Sequence, residues 1–380
     1  MSPVRFVILL VATLLVSVTM TTERVDGQKL ASLPPETAKI VEQAGGIYDP
    51  PRHDVRLVVL SDLNEAYGST SYPPEVGKGI DLIPYWNPDL VLCGGDMVAG
   101  QSRDLSKPEI EAMWEAFDDY IAHPLRERDF PFGFTMGNHD GSAAQGEDGS
   151  FIFHKDREVA SAYWNHPDHD PGLDFIDRAD FPFYYTFQHQ DIFFLVWDGS
   201  SHRIRDHELA WVEDALASPQ AQSAKMRVVL GHLPLYGIAE GRNQFGEVME
   251  NSQQLQAMME KYDVHTYISG HHHAYYPGHR GNLQLLNAGL LGAGARSLID
   301  NETPLRKALT VVDIDFDSSE LTTYATYDIN SLDLIEYEEL PRFLAGYNGA
   351  VMRRDIEWED LNASEQEFCE KRLGKELCSF

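Results

Sequence analysis

Cysteine is scarce in this chain: of 380 residues only Cys93, Cys369 and Cys378 carry a thiol. That excludes an iron–sulfur cluster and a soft copper(I) centre, both of which draw on several thiolates. Cys93 ends an apolar run, where a thiol behaves as a small hydrophobe. Cys369 and Cys378 flank a short charged segment, and in an oxidising compartment they would close a small loop that tethers the tail. Basic residues are few as well, 30 Lys and Arg against 60 Asp and Glu, for a formal net charge of -30. A surface this negative repels anionic membranes and long nucleic acid, which disfavours a polyanionic substrate and suits a small one. The same acidity also serves simply to keep an exported protein in solution.

Long apolar runs are missing apart from Phe6 to Val18, which falls short of the roughly 20 residues of a membrane span. With Arg5 as its basic start, this run reads as a secretory signal occupying residues 1–27. Small residues suited to cleavage stand at Val16-Ser17-Val18 and at Val25-Asp26-Gly27, so two cut sites stay open. The expectation is a secreted or periplasmic protein with no stable membrane span once the signal is gone. The alternative is an N-terminal anchor with the rest of the chain facing outside the cytoplasm. Removing residues 1–27 deletes two charges of each sign and leaves the net charge at -30.

The 43% hydrophobic content suffices for one large domain with extensions or two modest ones, and no internal repeat or long low-complexity linker divides it. After a lead-in at 28–54, short β-rich runs alternate with helical periodicity, the pattern of an α/β domain over residues 55–330. Strands are expected at Arg56–Leu60, Leu90–Cys93, Phe132–Met136, Met226–Leu230 and His265–Ile268, with a hairpin at Phe183–Phe187 and Ile192–Trp197. Apolar spacing places helices over Pro74–Trp86, Pro108–His123, Lys155–Trp164, Asp206–Ala217 and Ser252–Tyr262. Leu283–Leu291, Ala308–Phe316 and Leu321–Tyr327 read as a meander closing a second sheet. Residues 331–380, acidic and helix-leaning, form a C-terminal extension packed on the domain. Gly141 to Ser150 is a polar, glycine-rich loop near the motifs described next.

Five expected strand ends carry ligand-type residues: Ser61-Asp62-Leu63-Asn64, Gly94-Gly95-Asp96, Gly137-Asn138-His139-Asp140, Gly231-His232 and Gly270-His271-His272-His273. In an open sheet, ligands gather beyond the carboxyl ends of the strands, so these tips converge on one crevice. Carboxylate, carboxamide and imidazole together suit paired first-row metals. Alternation along extended backbone puts His271 and His273 on one side and His272 on the other, at the rim.

This ordered series resembles the calcineurin-like metallophosphoesterase superfamily over roughly residues 56–330. The resemblance implies a two-sheet β-sandwich flanked by helices, with a dinuclear site at the sheet edge. It implies that Asp96 bridges two metals, with Asp62 and His273 on one and Asn138, His232 and His271 on the other. His139 would serve as general acid or phosphoryl donor, with Asp140 fixing its tautomer. The cofactors would be two divalent or mixed-valence ions among Mn, Fe, Zn and Mg, activating a water that attacks phosphorus in line with the leaving oxygen. Most relatives have histidine where this chain has Asn64; a neutral carbonyl there makes a harder site and shifts preference toward Mn, Mg or Fe. Purple acid phosphatases carry a tyrosine three residues after the bridging aspartate, a position held here by Ala99, so a colourless protein is expected.

The implied activity is hydrolysis of a small phosphomonoester or phosphodiester. An exported nuclease or cyclic nucleotide phosphodiesterase, or a metal-binding relative without turnover, are the alternatives. Arg242, Arg280 and Arg296 follow motif segments, but in so acidic a chain each is expected to pair with a surface carboxylate. Tyr67, Tyr72, Tyr236, Tyr275 and Tyr276 are expected in core or rim packing, and His154, His166, His169, His202 and His207 on the surface.

Overall fold

The computed structural model describes residues 27–378, so the signal read at 1–27 lies outside the described residues except for Gly27. In chain order the strands are β1 Val55–Leu60, β2 Leu90–Cys93, β3 Phe132–Phe134, β4 Asp174–Asp180, β5 Tyr184–His189, β6 Ile192–Val196 and β7 Met226–Leu230. There follow β8 Thr266–Ser269, β9 Tyr275–Arg280, β10 Leu283–Ala288, β11 Ala308–Ile314, β12 Thr322–Asp328, β13 Phe343–Gly346 and β14 Gly349–Arg353. They form one sheet in the order β12-β11-β1-β2-β3 and another in the order β13-β14-β9-β10-β8-β7-β6-β5-β4.

Strands β1, β2 and β3 run parallel, as do β6, β7, β8 and β10. Parallel strands flanked on both faces read as unbroken apolar runs, and every residue of β1, β2 and β6 is buried. The two sheets touch directly. Phe134 of β3 donates its N–H to the Tyr185 hydroxyl of β5 at 3.2 Å, and a Cβ on Gly133 would lie 2.9 Å from the Phe187 ring. One continuous apolar core fills the sandwich.

Three expectations need correction. The meander is split: β10 pairs with β9 and β8 in the nine-stranded sheet, whereas β11 pairs with β1 in the five-stranded sheet and β12 with the outer side of β11. Its true hairpin partner, β9, contains Pro277 and Gly278, which read as turn residues and hid the strand. The extension at 331–380 is not wholly helical, because β13 and β14 add to the sheet edge beside β9 before a helix at Ala363–Leu373. A disulfide between Cys369 and Cys378, with Cα atoms 5.9 Å apart, closes the small tail loop. Finally, the helix expected over Pro108–His123 is regular only from Lys107 to Phe117, then widens to a π-turn over Asp118–Ala122. Pro124, which lacks an N–H, interrupts the regular ladder there.

Beyond β6 the chain is fixed by a buried charge network. Arg157 pairs with Asp198 at 2.9 Å, Glu208 Oε1 accepts the Asp198 N–H at 2.6 Å, and Arg205 lies 3.6 Å from Glu208. Burial, and next the Asp198 carboxylate, raise Glu208 to about 8, while Arg205 and Arg157 oppose the shift. The folded protein therefore keeps a proton on Glu208 that the unfolded chain has released above its ordinary value of 4.5. Stability from this group must fall as pH rises between those values, by at most about 1.4 kcal/mol per pH unit. Glu208→Gln keeps the acceptor oxygen and removes the proton equilibrium. Its melting temperature relative to wild type should rise from pH 5 to pH 8; a pH-independent difference in thermal melts would contradict this.

Candidate metal centre

The carboxyl ends of β1, β2, β7 and β8, with the turn after β3, meet at one edge of the sandwich. Asp62, Asp96, His271 and His273 all adopt left-handed backbone, with φ of 50°, 54°, 63° and 53°. Such backbone costs non-glycine residues of order 1 kcal/mol or more each and persists only where the surroundings impose it. Those surroundings are a lattice of short bonds: Asp62 N–H to Gly95 O at 2.9 Å, Leu63 N–H to Asp96 O at 2.8 Å, and His271 N–H to Asp62 Oδ1 at 3.1 Å. The motif glycines make room for it. A Cβ on Gly137 would run into Asp96 Oδ1, and one on Gly270 into the side chains of Ser61 and Asp62.

Two sets of ligand atoms lie within 4.8 Å of one another: Asp96, His232 and His271, and Asp62, Asp96 and His273, so Asp96 belongs to both. The tautomers are set from behind. His232 Nδ1 bonds to Gly94 O at 2.8 Å and His273 Nδ1 to Gly294 O at 3.0 Å, which leaves each Nε2 lone pair facing inward. His232 Nε2 then stands 3.3 Å from Asp96 Oδ2, and His273 Nε2 3.2 Å from Asp62 Oδ1. His273 Nε2 is buried without a hydrogen-bond partner. Lone pairs facing carboxylates call for a cation between them, so the residues fit paired metal ions. Burial disfavours the His232 imidazolium, yet with no cation between them Asp96 outweighs it and raises the group to about 9, so a proton on Nε2 takes the place that a metal ion would otherwise hold. Burial, with Arg242 next, pushes His271 well below its ordinary value, the neutral form a ligand needs.

Asn138 completes the second set. Its Oδ1 lies 2.9 Å from both His232 Nε2 and His271 Nδ1, while its Nδ2 donates to Gln101 Oε1 at 2.6 Å. Gln101 thus fixes the amide orientation; isolated in a loop, it gave no periodic or motif signal. Asn64 is buried beside the first set, its backbone N–H 3.3 Å from Asp96 O and its backbone carbonyl accepting from the Ala293 N–H at 3.0 Å.

Asp140 departs from its expected role. Its Oδ1 accepts the N–H groups of Met97 and Val98 at 2.7 and 2.9 Å, and its Oδ2 that of Gly137 at 2.7 Å. It pins the β2 and β3 turns together, and Gly100 O, 3.0 Å from Nδ1, sets the His139 tautomer instead. Burial and then Asp96 raise Asp140 to about 7, against the N–H donors of Gly137 and Val98. His272 is not at the rim but fully buried, held by Glu247 O at 3.0 Å and Ile238 N–H at 3.3 Å. Burial lowers it to about 3.

A cleft of about 280 Å³ opens onto the second set, lined by Tyr67, Gln101, Asn138, His139, Ser142, Ser200, Arg242, Glu247 and His271. His202, read as a surface residue, lines it too. Tyr67 is 64% exposed on the rim, its ring 5.1 Å from His139, whereas Tyr236, Tyr275 and Tyr276 are buried and Tyr72 donates to Met97 O. A groove of about 320 Å³ over Trp114 and Tyr163 contains none of the ligand-type motif residues. Arg280 is spent on Ala350 O and Leu377 O in the extension, while Arg242 turns into the cleft.

The sequence matches the calcineurin-like phosphoesterase family over residues 55–275, and the chain belongs to that family. No curated protein matches it. Among solved structures it is similar to purple acid phosphatase PPD1 from yellow lupin (Lupinus luteus) seeds, at 18% identity and a TM-score of 0.52, over 77% of this chain and 56% of that one. The chain thus spans little more than half the length of that phosphatase, and the likeness is one of fold. It is also similar to GAP50 of Plasmodium, at 13% identity and a TM-score of 0.45, over 74% of this chain and 87% of that one. A putative 5'-nucleotidase from Staphylococcus aureus aligns at 13% identity and a TM-score of 0.42, over 75% of this chain and 56% of that one.

Proposed function

We propose that this protein hydrolyses a small phosphate ester with the help of two first-row metal ions. The observation that carries the reading is Asp96, which stands in both ligand sets at once. Asp62, Asp96 and His273 would hold one ion, with Asn64 beside them, and Asp96, Asn138, His232 and His271 the other. Two such ions supply an acidified water as nucleophile and neutralise charge on the phosphoryl group. The chain's own residues do the rest. With Nδ1–H donated to Gly100 O, His139 keeps Nε2 as its exchanging nitrogen; a proton taken up there, giving the imidazolium, is the one it would pass to the leaving oxygen. Asp140 holds the turn that carries Asn138 and His139. If Asn64 supplied its side-chain oxygen beside Asp62, the first ion would be drawn toward Mn, Mg or Fe over Zn.

The cleft volume and the net charge of -30 suit a small ester rather than long nucleic acid. Export is supported by Arg5 with the apolar run after it, and by the Cys369–Cys378 disulfide, which belongs in an oxidising compartment. Among the described residues no helix is long and apolar enough to cross a membrane. The test is turnover of p-nitrophenyl phosphate and bis-p-nitrophenyl phosphate by the metal-stripped full chain, resupplied separately with Mn, Fe, Zn and Mg. Metal-dependent hydrolysis is expected. Silence with every metal, with two equivalents bound, would favour a metal-binding relative without turnover, and digestion of long DNA would overturn the small-substrate reading.

A further inference from the structure

One guanidinium enters the ligand cluster. Arg242 Nη1 lies 2.7 Å from His271 Nε2, 3.1 Å from His271 Nδ1 and 3.0 Å from Glu247 Oε2. Glu247 Oε2 is itself 2.8 Å from His271 Nε2, so carboxylate, guanidinium and imidazole form a closed triangle. The Arg242 side chain is 16% exposed and lines the cleft with His139 and Asn138. These contacts all run through Nη1, of which the 2.7 Å approach to His271 Nε2 and the bond to Glu247 are the close ones, and Nη2 and Nε are left for another acceptor. A second guanidinium, Arg296, backs the same turn: a Cβ on Gly241 would lie 2.9 Å from its Nη1.

This is not the behaviour of an arginine paired with a carboxylate on the surface, where the head group stays in water and the pair contributes little. Here a cation is held beside an imidazole of the ligand set, with a single carboxylate to offset it. Cations on His271 and its neighbours would add positive charge, so the arrangement is balanced only when a further anion lies among them. A guanidinium presents parallel N–H groups that match two oxygens of one phosphate. A phosphomonoester near neutral pH carries close to two negative charges on three terminal oxygens, whereas a diester carries one charge on two. The difference in charge and in acceptor count falls where Arg242 stands.

We infer that Arg242, oriented by Glu247, receives the terminal oxygens of the substrate phosphate and makes this site select phosphomonoesters over phosphodiesters. The inference rests on the phosphoesterase reading above for its catalytic half, but not for its binding half. Both are measured on the full, metal-loaded chain and on Arg242→Ala, Arg242→Lys and Glu247→Gln. The first readout is affinity for inorganic phosphate by calorimetry; the second is KM and kcat for p-nitrophenyl phosphate and bis-p-nitrophenyl phosphate. Arg242→Ala should weaken phosphate binding and raise the monoester KM by about 10- to 100-fold, with the diester KM changed less than about threefold. Arg242→Lys keeps the charge without the fork and should fall between, and Glu247→Gln should raise the monoester KM more than the diester KM. Equal losses on both esters, or phosphate binding untouched in Arg242→Ala, would overturn the assignment. Were Arg242→Ala to fold poorly, an Arg242→Lys or Glu247→Gln protein with unchanged monoester KM would overturn it as well. Wild-type protein that binds phosphate through Arg242 yet turns over neither ester would support the clamp and sink the phosphoesterase reading alone.

Discussion

Alanine at Asp96 should abolish hydrolysis, by about a thousandfold or more in kcat, and should lower the metal content of the protein at the same time. The side chain is 1% exposed, and its two oxygens do different work: Oδ1 accepts the His139 N–H at 2.8 Å and Oδ2 faces His232 Nε2 at 3.3 Å. Removing it strips one donor from each ligand set and loosens the turn that carries His139. No neighbouring residue can replace it, because among the described residues Asp96 alone belongs to both sets. Asp96→Asn keeps an oxygen for the N–H bond and loses the charge, so it should fold like wild type and still fail to retain metal. Turnover in either variant comparable to wild type would remove Asp96 from the chemistry.

Arg56→Ala should produce the largest loss of stability, about 3 to 5 kcal/mol by chemical denaturation. Arg56 lies in β1 and Asp313 in β11, both 1% exposed, joined by Nε to Oδ1 and Nη2 to Oδ2, each at 3.0 Å. The same guanidinium donates to Pro50 O at 2.6 Å and Trp86 O at 3.3 Å, and pairs with Asp49 at 3.2 Å. One side chain therefore ties the lead-in, the helix Pro74–Trp86 and two strands together. Truncation leaves the buried Asp313 carboxylate with only the His53 N–H at 3.3 Å, and that uncompensated charge, rather than the lost attraction, sets the size of the effect. Replacing both partners, as in Arg56→Met with Asp313→Leu, should recover much of the loss. A single variant within about 1 kcal/mol of wild type would show that the pair contributes little.

The candidate ligand residues were legible because each stands just beyond an apolar strand, and five such strand ends in one chain converge by topology alone. Asp62, Asp96, Asn138, His232, His271 and His273 all reach the same edge of the sandwich. The residues that support them were not legible. Gln101, Arg242 and Glu247 come from irregular loops, where no period ties a residue to a face and where contact depends on how the chain returns in three dimensions. Asp140 was misread for a related reason: next to His139 in sequence, it turns away to the N–H groups of Met97 and Val98 beyond β2 and of Gly137 in its own turn. Fold class and most elements followed from periodicity. Strands β4, β9, β13 and β14, of which β4 and β13 are the sheet edges, did not, because acidic residues, proline and glycine look like loop until a partner strand is known.

The most direct test of the account is metal stoichiometry, measured by elemental analysis of the full chain after saturation with Mn or Fe and removal of excess ion, with Asp96→Ala alongside. Two equivalents in the wild type, falling in the variant together with ester hydrolysis, is the predicted result. A wild-type protein that retains no metal, or that hydrolyses phosphate esters equally well after complete metal removal, would contradict it.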